Sequence, residues 1–442
     1  MRIAIIGSGI SGNAAAWALT QPTAETNEHH VCVYETRSRP GGHSYTVDID
    51  YEGKTIPVDM GFIVYNSLNY PNLVALFQHL DVQTRESDMS FGVSMRGGAL
   101  EWSGKSIKSI FAQKKNFFSR RFWIMIFDIL KFNKMAQADF NASRLGTRTL
   151  GDYLKDNKFS KIFISDYLAP MGAAIWSTPH ADIMDFPAES FIRFFNNHKL
   201  MHKRSERPKW RTVVGGSRSY VTKIIAPFQQ NIRYESKVTN VIRKNGMAYV
   251  TDEHGNQEAY DHVVFASHTD QTLAMMGDAT TKEREILGAI KYRPNTIYLH
   301  RDKSLMPKDP SVWSAWNYIE TSDLTQQKTG VCVSYHMNAL QNIDADRPVF
   351  ISLNPETPPK DALTFHVANF DHPQFDQQAL EAQETLASIQ GKDNFWYCGA
   401  WCGYGFHEDG LKAGLSVAEK LGARIPWRSY EQDTAAHREA AE

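Results

Sequence analysis

The sequence has few cysteines, no long hydrophobic run and no excess of charge of either sign. No uninterrupted apolar run approaches the roughly 20 residues of a membrane span. The 48 basic and 49 acidic residues argue against nucleic acid as a partner, because phosphate neutralisation needs a basic excess or a large basic face. The cysteines are too few and too scattered for a disulfide-framed secreted fold: Cys32, Cys332, Cys398 and Cys402. We therefore expect a protein of a reducing, cytoplasmic compartment.

The length and composition indicate a folded chain with more than one domain. A chain of 442 residues exceeds one ordinary hydrophobic core, so two domains or a discontinuous pair are expected. Charged residues at 22% and aromatic residues at 12% are typical of globular proteins and exclude a disordered chain.

The first 35 residues have the pattern of a dinucleotide-binding unit. Residues 2–6 form a short, continuous apolar run of the kind found in buried parallel strands. A glycine-rich turn, a helix-forming stretch, a second apolar run at 31–34 and an acid follow in that order. The residues of this unit that we expect to contact a cofactor are Gly7, Gly9, Ile10, Ser11, Gly12 and Glu35.

Each of these residues has a physical task in binding a dinucleotide. Gly7 makes the tight turn, Gly9 lets a pyrophosphate approach the backbone, and Gly12 lets the helix and the strand pack closely. The N-terminus of the helix then faces the phosphates, and Glu35 can hydrogen-bond a ribose.

The segment after Glu35 carries a resemblance to a known family. It reads Thr36-Arg37-Ser38-Arg39-Pro40-Gly41-Gly42-His43, and it resembles the second signature of the FAD-dependent amine oxidase and desaturase superfamily. The resemblance implies that Gly41 and Gly42 lie under the pyrophosphate of FAD and that Arg37 reaches a phosphate or a ribose, with Thr36 and His43 beside them. Nearly the whole chain is similar to bacterial proteins of the amine-oxidase type, predicted to bind NAD or FAD, whose substrates are unassigned.

Later segments carry the same resemblance. Gly61 and Phe62 resemble the family's glycine turn beside the flavin, Val238 is at the position of a valine that contacts the adenine, and Ala266 ends a strand that leads back to the flavin domain. A helix expected from about Leu411 to Leu421 would direct its N-terminus at the flavin. The turn before this helix completes the implied cofactor site with Gly399, Ala400, Gly405, Phe406 and His407. Ala400 departs from the family, which usually has an acid there to bond a ribityl hydroxyl.

The signatures fall in separate blocks, so the expected fold is discontinuous. An α/β, Rossmann-like FAD-binding domain of the amine-oxidase (GR2) type is expected from 1–75, 205–270 and 390–425. A second, α+β substrate domain is expected from 76–204 and 271–389, as the resemblance implies. The polar residues 426–442 are expected to form a C-terminal tail.

Five side chains are candidates for catalysis. Trp401, Tyr404 and His407 belong to the turn that the family places beside the isoalloxazine, whereas His198 and Tyr335 belong to the expected substrate domain. Packing in a hydrophobic core is the alternative role for each of them. No metal is predicted, because Cys398, Cys402 and His407 lack a fourth ligand at suitable spacing.

Residues 104–134 combine basic and aromatic side chains. They hold eight lysines and arginines but one acid, Asp128, and their apolar stretch is too short to span a bilayer. This pattern fits a segment that lies in the membrane interface and gives the protein a peripheral contact with the inner membrane surface. A helix that packs its aromatic face on the substrate domain is the alternative.

The absence of a second GxGxxG unit indicates that electrons come from an organic substrate and leave to oxygen or another acceptor. The leading hypothesis is an FAD-dependent oxidoreductase that dehydrogenates a fatty-acyl or lipid substrate by hydride transfer to flavin N5. The alternatives are an amine oxidase that forms an imine and peroxide, a flavin-dependent double-bond isomerase, and a flavin-binding module without turnover.

Overall fold

The computed structural model describes residues 1–21, 29–176, 179–320 and 332–428. Most of the expected tail, 429–442, lies outside the described residues. The strands of the described part, in chain order, are β1 (Arg2–Ile6), β2 (His30–Tyr34), β3 (Thr46–Tyr51), β4 (Lys54–Asp59), β5 (Tyr65–Asn66), β6 (Thr84–Ser87), β7 (Phe91–Met95), β8 (Leu100–Ser103), β9 (Trp210–Val213), β10 (Ile232–Arg233), β11 (Val238–Lys244), β12 (Met247–Asp252), β13 (Gln257–Tyr260), β14 (His262–Phe265), β15 (Lys291–His300), β16 (Trp316–Ile319), β17 (Cys332–His336), β18 (Phe350–Leu353), β19 (Thr364–Gln374) and β20 (Phe395–Tyr397).

The helices alternate with these strands. A π-helical segment, Ile164–Leu168, and several short 3₁₀ turns join them. In chain order the α-helices of the described part are α1 (Ile10–Leu19), α2 (Pro71–His79), α3 (Ile107–Ile110), α4 (Lys114–Phe118), α5 (Arg120–Asn141), α6 (Leu150–Asp156), α7 (Lys161–Phe163), α8 (Ala169–Trp176), α9 (His180–Met184), α10 (Ala188–Asn197), α11 (Arg218–Ile225), α12 (Thr269–Met275), α13 (Thr281–Ala289), α14 (Met337–Gln341), α15 (Gln377–Thr385) and α16 (His407–Lys420).

A five-stranded parallel sheet is the centre of the predicted nucleotide-binding domain. Its strand order is β10-β2-β1-β14-β20, and each neighbouring pair is parallel. Ile3 and Ile5 of β1 pack into the core on one face, whereas Ala4 and Ile6 pack into the core on the other. Burial on both faces explains why the apolar run of β1 is continuous rather than alternating.

Helices α1 and α16 bring two parts of the chain that are far apart in sequence into contact. All ten residues of α1 are buried, because the helix lies between the parallel sheet and α16. A Cβ atom on Gly414 would lie 2.1 Å from the backbone oxygen of Ser11, and one on Gly410 would lie 2.8 Å from a methyl group of Ile10. Only glycine therefore permits this approach of the two helices.

A seven-stranded mixed sheet and a group of helices form the other large part of the molecule. The strand order is β19-β15-β18-β17-β16-β7-β8, and most neighbouring pairs are antiparallel. Helices α5 to α10 share a second hydrophobic core with this sheet, with Phe132, Phe163 and Phe191 at its centre. No helix within the described residues has the length and apolarity to cross a bilayer.

Two details differ from the sequence expectations. Helix α16 begins at His407 rather than near Leu411, because the carboxylate of Asp409 accepts a hydrogen bond from the backbone N–H of Phe406 and closes the first turn. Parts of α12, α13 and α15 pack in the same core as β14 and β20, although the sequence analysis assigned 271–389 to the substrate domain. The division of the chain into domains stays a prediction.

Candidate functional site

The carboxyl edge of the parallel sheet gathers the residues of the candidate cofactor site. Gly7, Glu35, Ala266 and Cys398 each follow directly after a strand, namely β1, β2, β14 and β20. Because these strands are parallel and adjacent, the loops after them meet at one edge, where open α/β sheets bind their ligands. The backbone N–H of Gly7 donates to the carbonyl of Tyr34, and that of Ala266 donates to the carbonyl of Ile6.

Two loops, at Gly9 and at Gly42, meet at this edge of the sheet and present backbone rather than side chains, and we call them the cradle. Gly9 precedes α1, where no side chain caps the helix, and a Cβ atom on Gly9 would meet no heavy atom within 4 Å from the described residues beyond its neighbours in sequence. A Cβ atom on Gly42 would lie 3.0 Å from the Cα atom of Gly9, so the two backbones face each other closely. Open space beside an uncapped helix N-terminus fits a pyrophosphate.

Glu35 is held in a fixed orientation at the end of β2. Its carboxylate accepts hydrogen bonds from the backbone N–H and the hydroxyl of Ser8 and from the backbone N–H of Arg37. The backbone N–H of Ser236 donates to the Glu35 carbonyl at 2.9 Å, which brings the start of β11 and its buried first residue, Val238, beside the acid. The residues that the resemblance assigns to the adenosine half are therefore neighbours in space.

His43 lies among other rings that the sequence did not connect with it. Its ring stacks on Phe370 with centroids 4.6 Å apart, and the rings of His268 and His372 lie 6.2 and 5.8 Å away. Burial sets the pKa of His43 well below its usual range, so the imidazole is neutral. Phe370 also lies 5.8 Å below the guanidinium of Arg37.

The turn at Gly61 is packed against the His43 backbone. A Cβ atom on Gly61 would lie 2.1 Å from the His43 carbonyl oxygen, and that oxygen accepts a hydrogen bond from the backbone N–H of Phe62 at 2.9 Å. The segment at 41–43, whose glycines the resemblance assigns to the pyrophosphate, therefore meets the turn at 61–62, which it assigns to the flavin.

His407 is the first residue of α16 and is held from two sides. Its ring stacks on Phe62 at 3.9 Å with an interplanar angle of 12°, and its Nε2 atom lies 2.6 Å from the hydroxyl of Tyr220. That hydroxyl also forms a hydrogen bond with Ser44. Burial lowers the pKa of His407 to about 3, and the positive end of the helix dipole acts in the same direction, so the ring is neutral at pH 7.

Acidic side chains fix the start of α16. Asp409 accepts hydrogen bonds from the backbone N–H groups of Tyr404 and Phe406, and burial raises its pKa to about 6. Glu408 is 8% exposed, and its carboxylate accepts bonds from the backbone N–H groups of Asn72 and Leu73 and from the Asn72 amide. Glu408 thus caps the N-terminus of α2 from a distant part of the chain.

The other catalytic candidates separate into three places. Tyr404 lies 6.2 Å from the ring of Phe194, which also stacks on His198 at 3.9 Å, so these candidates share one aromatic cluster. Trp401 is buried in the core beside β14 and β20. Tyr335 packs edge-on against Trp316 in the seven-stranded sheet, at 4.9 Å.

The aromatic cluster also includes a residue assigned to the cofactor. Phe406 stacks on Phe194 at 5.2 Å and lies 6.0 Å from His198. The Nδ1 atom of His198 donates to the carbonyl of Phe194, and burial lowers its pKa to about 4. The four rings of this cluster are therefore mostly apolar and uncharged at neutral pH, and the guanidinium of Arg193 lies beside the Tyr404 hydroxyl at its edge.

Several site residues were absent from the sequence prediction. Tyr220 is the third residue of α11, and the Gly215-Gly216 turn just before this helix is the local signal in the sequence that could have identified it. Phe370 and His372 gave no signal, because their position depends on the register of β19 against β15.

Comparisons with known proteins agree with this architecture. Residues 5–80 match the family model described as an NAD(P)-binding Rossmann-like domain. A search of curated protein sequences finds no significant match. Among solved structures, the chain resembles a fatty acid isomerase from P. acnes that produces CLA, with a TM-score of 0.68 and 15% identity over 96% of this chain and 99% of that chain.

Two amine oxidases have the same architecture. Putrescine oxidase bound to putrescine has a TM-score of 0.64 and 14% identity over 96% of this chain and 100% of that chain. Cyclohexylamine oxidase from Brevibacterium oxydans has a TM-score of 0.61 and 15% identity over 95% of this chain and 99% of that chain. The predicted α/β fold class and the dinucleotide-binding domain are confirmed. The chain therefore shares the fold of these solved structures over nearly its full length, with a Rossmann-like domain at residues 5–80.

Proposed function

We propose that the chain is an FAD-dependent oxidoreductase that dehydrogenates an apolar, fatty-acyl or lipid substrate. The observation that carries the proposal is the uncharged aromatic cluster of Phe194, His198, Tyr404 and Phe406 beside the start of α16. The cluster adjoins the loops that resemble the family's flavin site. Such a wall suits an acyl chain, because transfer of apolar surface from water is favourable while a charged group would lose its hydration.

The residues at the carboxyl edge of the parallel sheet fit FAD. The Gly9 and Gly42 backbones would accept the pyrophosphate, Glu35 and Val238 would contact the adenosine half, and His407 would lie at the flavin end. Bound FAD would supply a hydride acceptor, from which electrons pass to oxygen or another acceptor.

His407 is proposed as a positioning residue. A ring with a pKa of about 3 is a poor proton acceptor at neutral pH, which argues against a role for His407 as a general base. Its stacking on Phe62 and its bond to Tyr220 fix the first turn of α16, whose N–H groups would face the flavin. Its loss would therefore affect turnover more than cofactor retention.

An amine oxidase is the second candidate, favoured by the shared fold of putrescine oxidase and cyclohexylamine oxidase. A protonated amine needs a compensating negative charge in a dry site. The carboxylates of Glu408 and Asp409 are already engaged as helix caps, which is the reason for ranking this candidate below the lipid dehydrogenase. The name of the P. acnes structure, a fatty acid isomerase, keeps a double-bond isomerase as a further alternative, in which the substrate would contact the same aromatic cluster and the hydride would be returned to it.

Anaerobic spectrophotometry of the purified protein with FAD separates these candidates. We expect a membrane lipid extract to bleach the visible flavin band and an amine panel to leave it unchanged. Bleaching by amines would transfer the assignment to an amine oxidase. A lipid product with a displaced double bond and no net reduction would indicate an isomerase, and a protein that binds no FAD would refute the cofactor assignment.

A variant tests the role of His407 in the same assay. We expect His407→Ala to retain FAD and to lose turnover by about 100-fold, because misplacement at a reacting centre has effects of that order. His254→Ala, on an exposed turn, is the matched control and should behave as the native protein. Native turnover of His407→Ala would remove the residue from the site.

A further inference from the structure

One part of the surface is unusually apolar. Of the nine large hydrophobic residues that are exposed in the described part of the chain, five lie between 107 and 130. We name the surface formed by residues 104–134 the aromatic–basic surface, and we propose that it docks the protein on an anionic lipid bilayer. The five residues, with their exposed fractions, are Ile107 (78%), Phe117 (54%), Phe118 (84%), Phe127 (63%) and Leu130 (61%).

The exposed aromatic rings of this surface pack against neighbouring rings that are held in place. Phe111 lies 5.5 Å from Trp123 and 5.7 Å from the buried ring of Phe122, and the indole N–H of Trp123 donates to the carbonyl of Phe117. Trp123 in turn lies 6.0 Å from Phe127. The aromatic–basic surface is therefore an ordered surface formed by α3, α4 and α5, because its rings contact one another and the indole of Trp123 is hydrogen-bonded to the backbone.

The opposite face of α5 is anchored in the protein. Phe122, Met125, Phe132 and Ala136 are buried, and Arg121 forms an ion pair with the buried Asp166. The two sequence alternatives for 104–134, packing on the protein and contact with a membrane, therefore concern opposite faces of α5. The packing on the second core leaves the aromatic–basic surface exposed.

Residues 104–134 carry positive charge that contacts within the described protein do not neutralise. Three of the eight basic residues are engaged within the protein: Arg121 with Asp166, Lys131 with the Asn157 carbonyl, and Lys105 with the Trp313 carbonyl. The single acid, Asp128, accepts a bond from the Ser160 backbone. The other five are exposed and form no ion pair with any described residue: Lys108, Lys114, Lys115, Arg120 and Lys134.

This combination favours a lipid surface over a second copy of the chain. Two copies facing each other would bring five uncompensated positive charges against five more, which opposes association. An anionic bilayer offers the opposite charge at its surface and an apolar layer a few ångströms below, which matches exposed phenylalanines surrounded by lysines. The inference does not rest on the flavin chemistry, since docking is independent of the substrate.

Liposome sedimentation with the FAD-loaded protein tests the proposal. We expect weak binding to phosphatidylcholine vesicles and strong binding once about 30% phosphatidylglycerol is included, reversed by salt. The double variant Lys114→Gln/Lys115→Gln should lower the partition coefficient about 25-fold, since each basic residue near an anionic surface contributes about fivefold. Phe118→Ser/Phe127→Ser should weaken binding without changing its salt dependence.

Matched controls separate this surface from general effects. Lys282→Gln/Lys303→Gln removes two exposed lysines elsewhere, and Leu68→Ser removes an exposed apolar side chain elsewhere. Both should bind vesicles as the native protein does. Equal losses in the controls, or no binding to anionic vesicles, would overturn the proposal. Variants of the surface that change the oligomeric state but not vesicle binding would assign it to contacts between copies of the chain.

Discussion

Replacement of Glu408 by glutamine should destabilise the protein, because this one side chain joins two distant parts of the nucleotide-binding fold. The carboxylate receives two backbone N–H groups at the N-terminus of α2 and the amide of Asn72, with distances of 2.7 to 2.9 Å. Glutamine keeps one acceptor oxygen and directs an NH₂ group at donors, so at least one backbone N–H loses its partner in a buried environment.

The magnitude follows from these contacts. Hydrogen bonds to a charged acceptor contribute about 1.5–3 kcal/mol each, and a buried donor without a partner costs about 1–3 kcal/mol. Burial raises the pKa of Glu408, so the native carboxylate already carries a desolvation cost that the substitution relieves. We expect a net loss of about 3 kcal/mol, and a fall in Tm of about 3 °C for a chain of this length.

Thermal and urea denaturation of the FAD-free protein, monitored by circular dichroism, would measure this loss. Glu285→Gln, on the exposed side of α13, is the matched control and should change stability by less than about 0.5 kcal/mol. Glu408→Gln with the stability of the Glu285→Gln control would refute the reasoning, because it would show that α2 does not depend on this cap.

Three further predictions concern the site. The pKa of His407 is about 3 in the folded chain and 6.5 ordinarily, so the free energy of unfolding should fall as pH decreases from 6.5 towards 3. In urea denaturation, His407→Gln should reduce this slope by about 1.4 kcal/mol per pH unit near pH 5. Gly9→Ala should leave the Tm unchanged yet weaken FAD binding at least about tenfold in fluorescence titration, since the added methyl group would occupy space left for the ligand. Gly288→Ala is the control, and a Gly9→Ala variant with native affinity for FAD would contradict the proposed cradle. Tyr220→Phe should retain FAD and lower turnover by up to about tenfold through loss of the hydrogen bond to His407. Tyr234→Phe is the control, and equal turnover rates for the two variants would show that the bond between Tyr220 and His407 does not contribute to turnover.

Local patterns explain why the nucleotide-binding part was predictable. The strand, glycine turn, helix and acid of residues 2–35 are consecutive in the chain, and each has a distinct composition. The apolar run of β20 and the glycines before α16 were likewise readable. Helix α16 begins four residues earlier than expected, because Asp409 closes its first turn despite the glycines that precede it.

The surroundings of the site depended on contacts that no local pattern contains. His43 meets Phe370 and His372 only because β19 pairs with β15 and lies across the loop at 41–43. The sequence showed eight basic residues in 104–134 but not that Arg121 pairs with the buried Asp166 and Lys131 bonds the Asn157 carbonyl. Side-chain direction depends on tertiary packing, which composition does not determine.

The approach of α16 to α1 has a consequence for how the protein is made. The first strand and helix leave the ribosome about 400 residues before their partner helix, which takes roughly 20–80 s at ordinary rates of synthesis. During that interval, the side of α1 that packs on α16 lacks its partner, so we expect it to be a target for chaperones. Cofactor capture would then have to follow the synthesis of α16, because a nascent chain interrupted before β20 has the glycine loop but lacks the last strand of the parallel sheet and the helix that packs on α1.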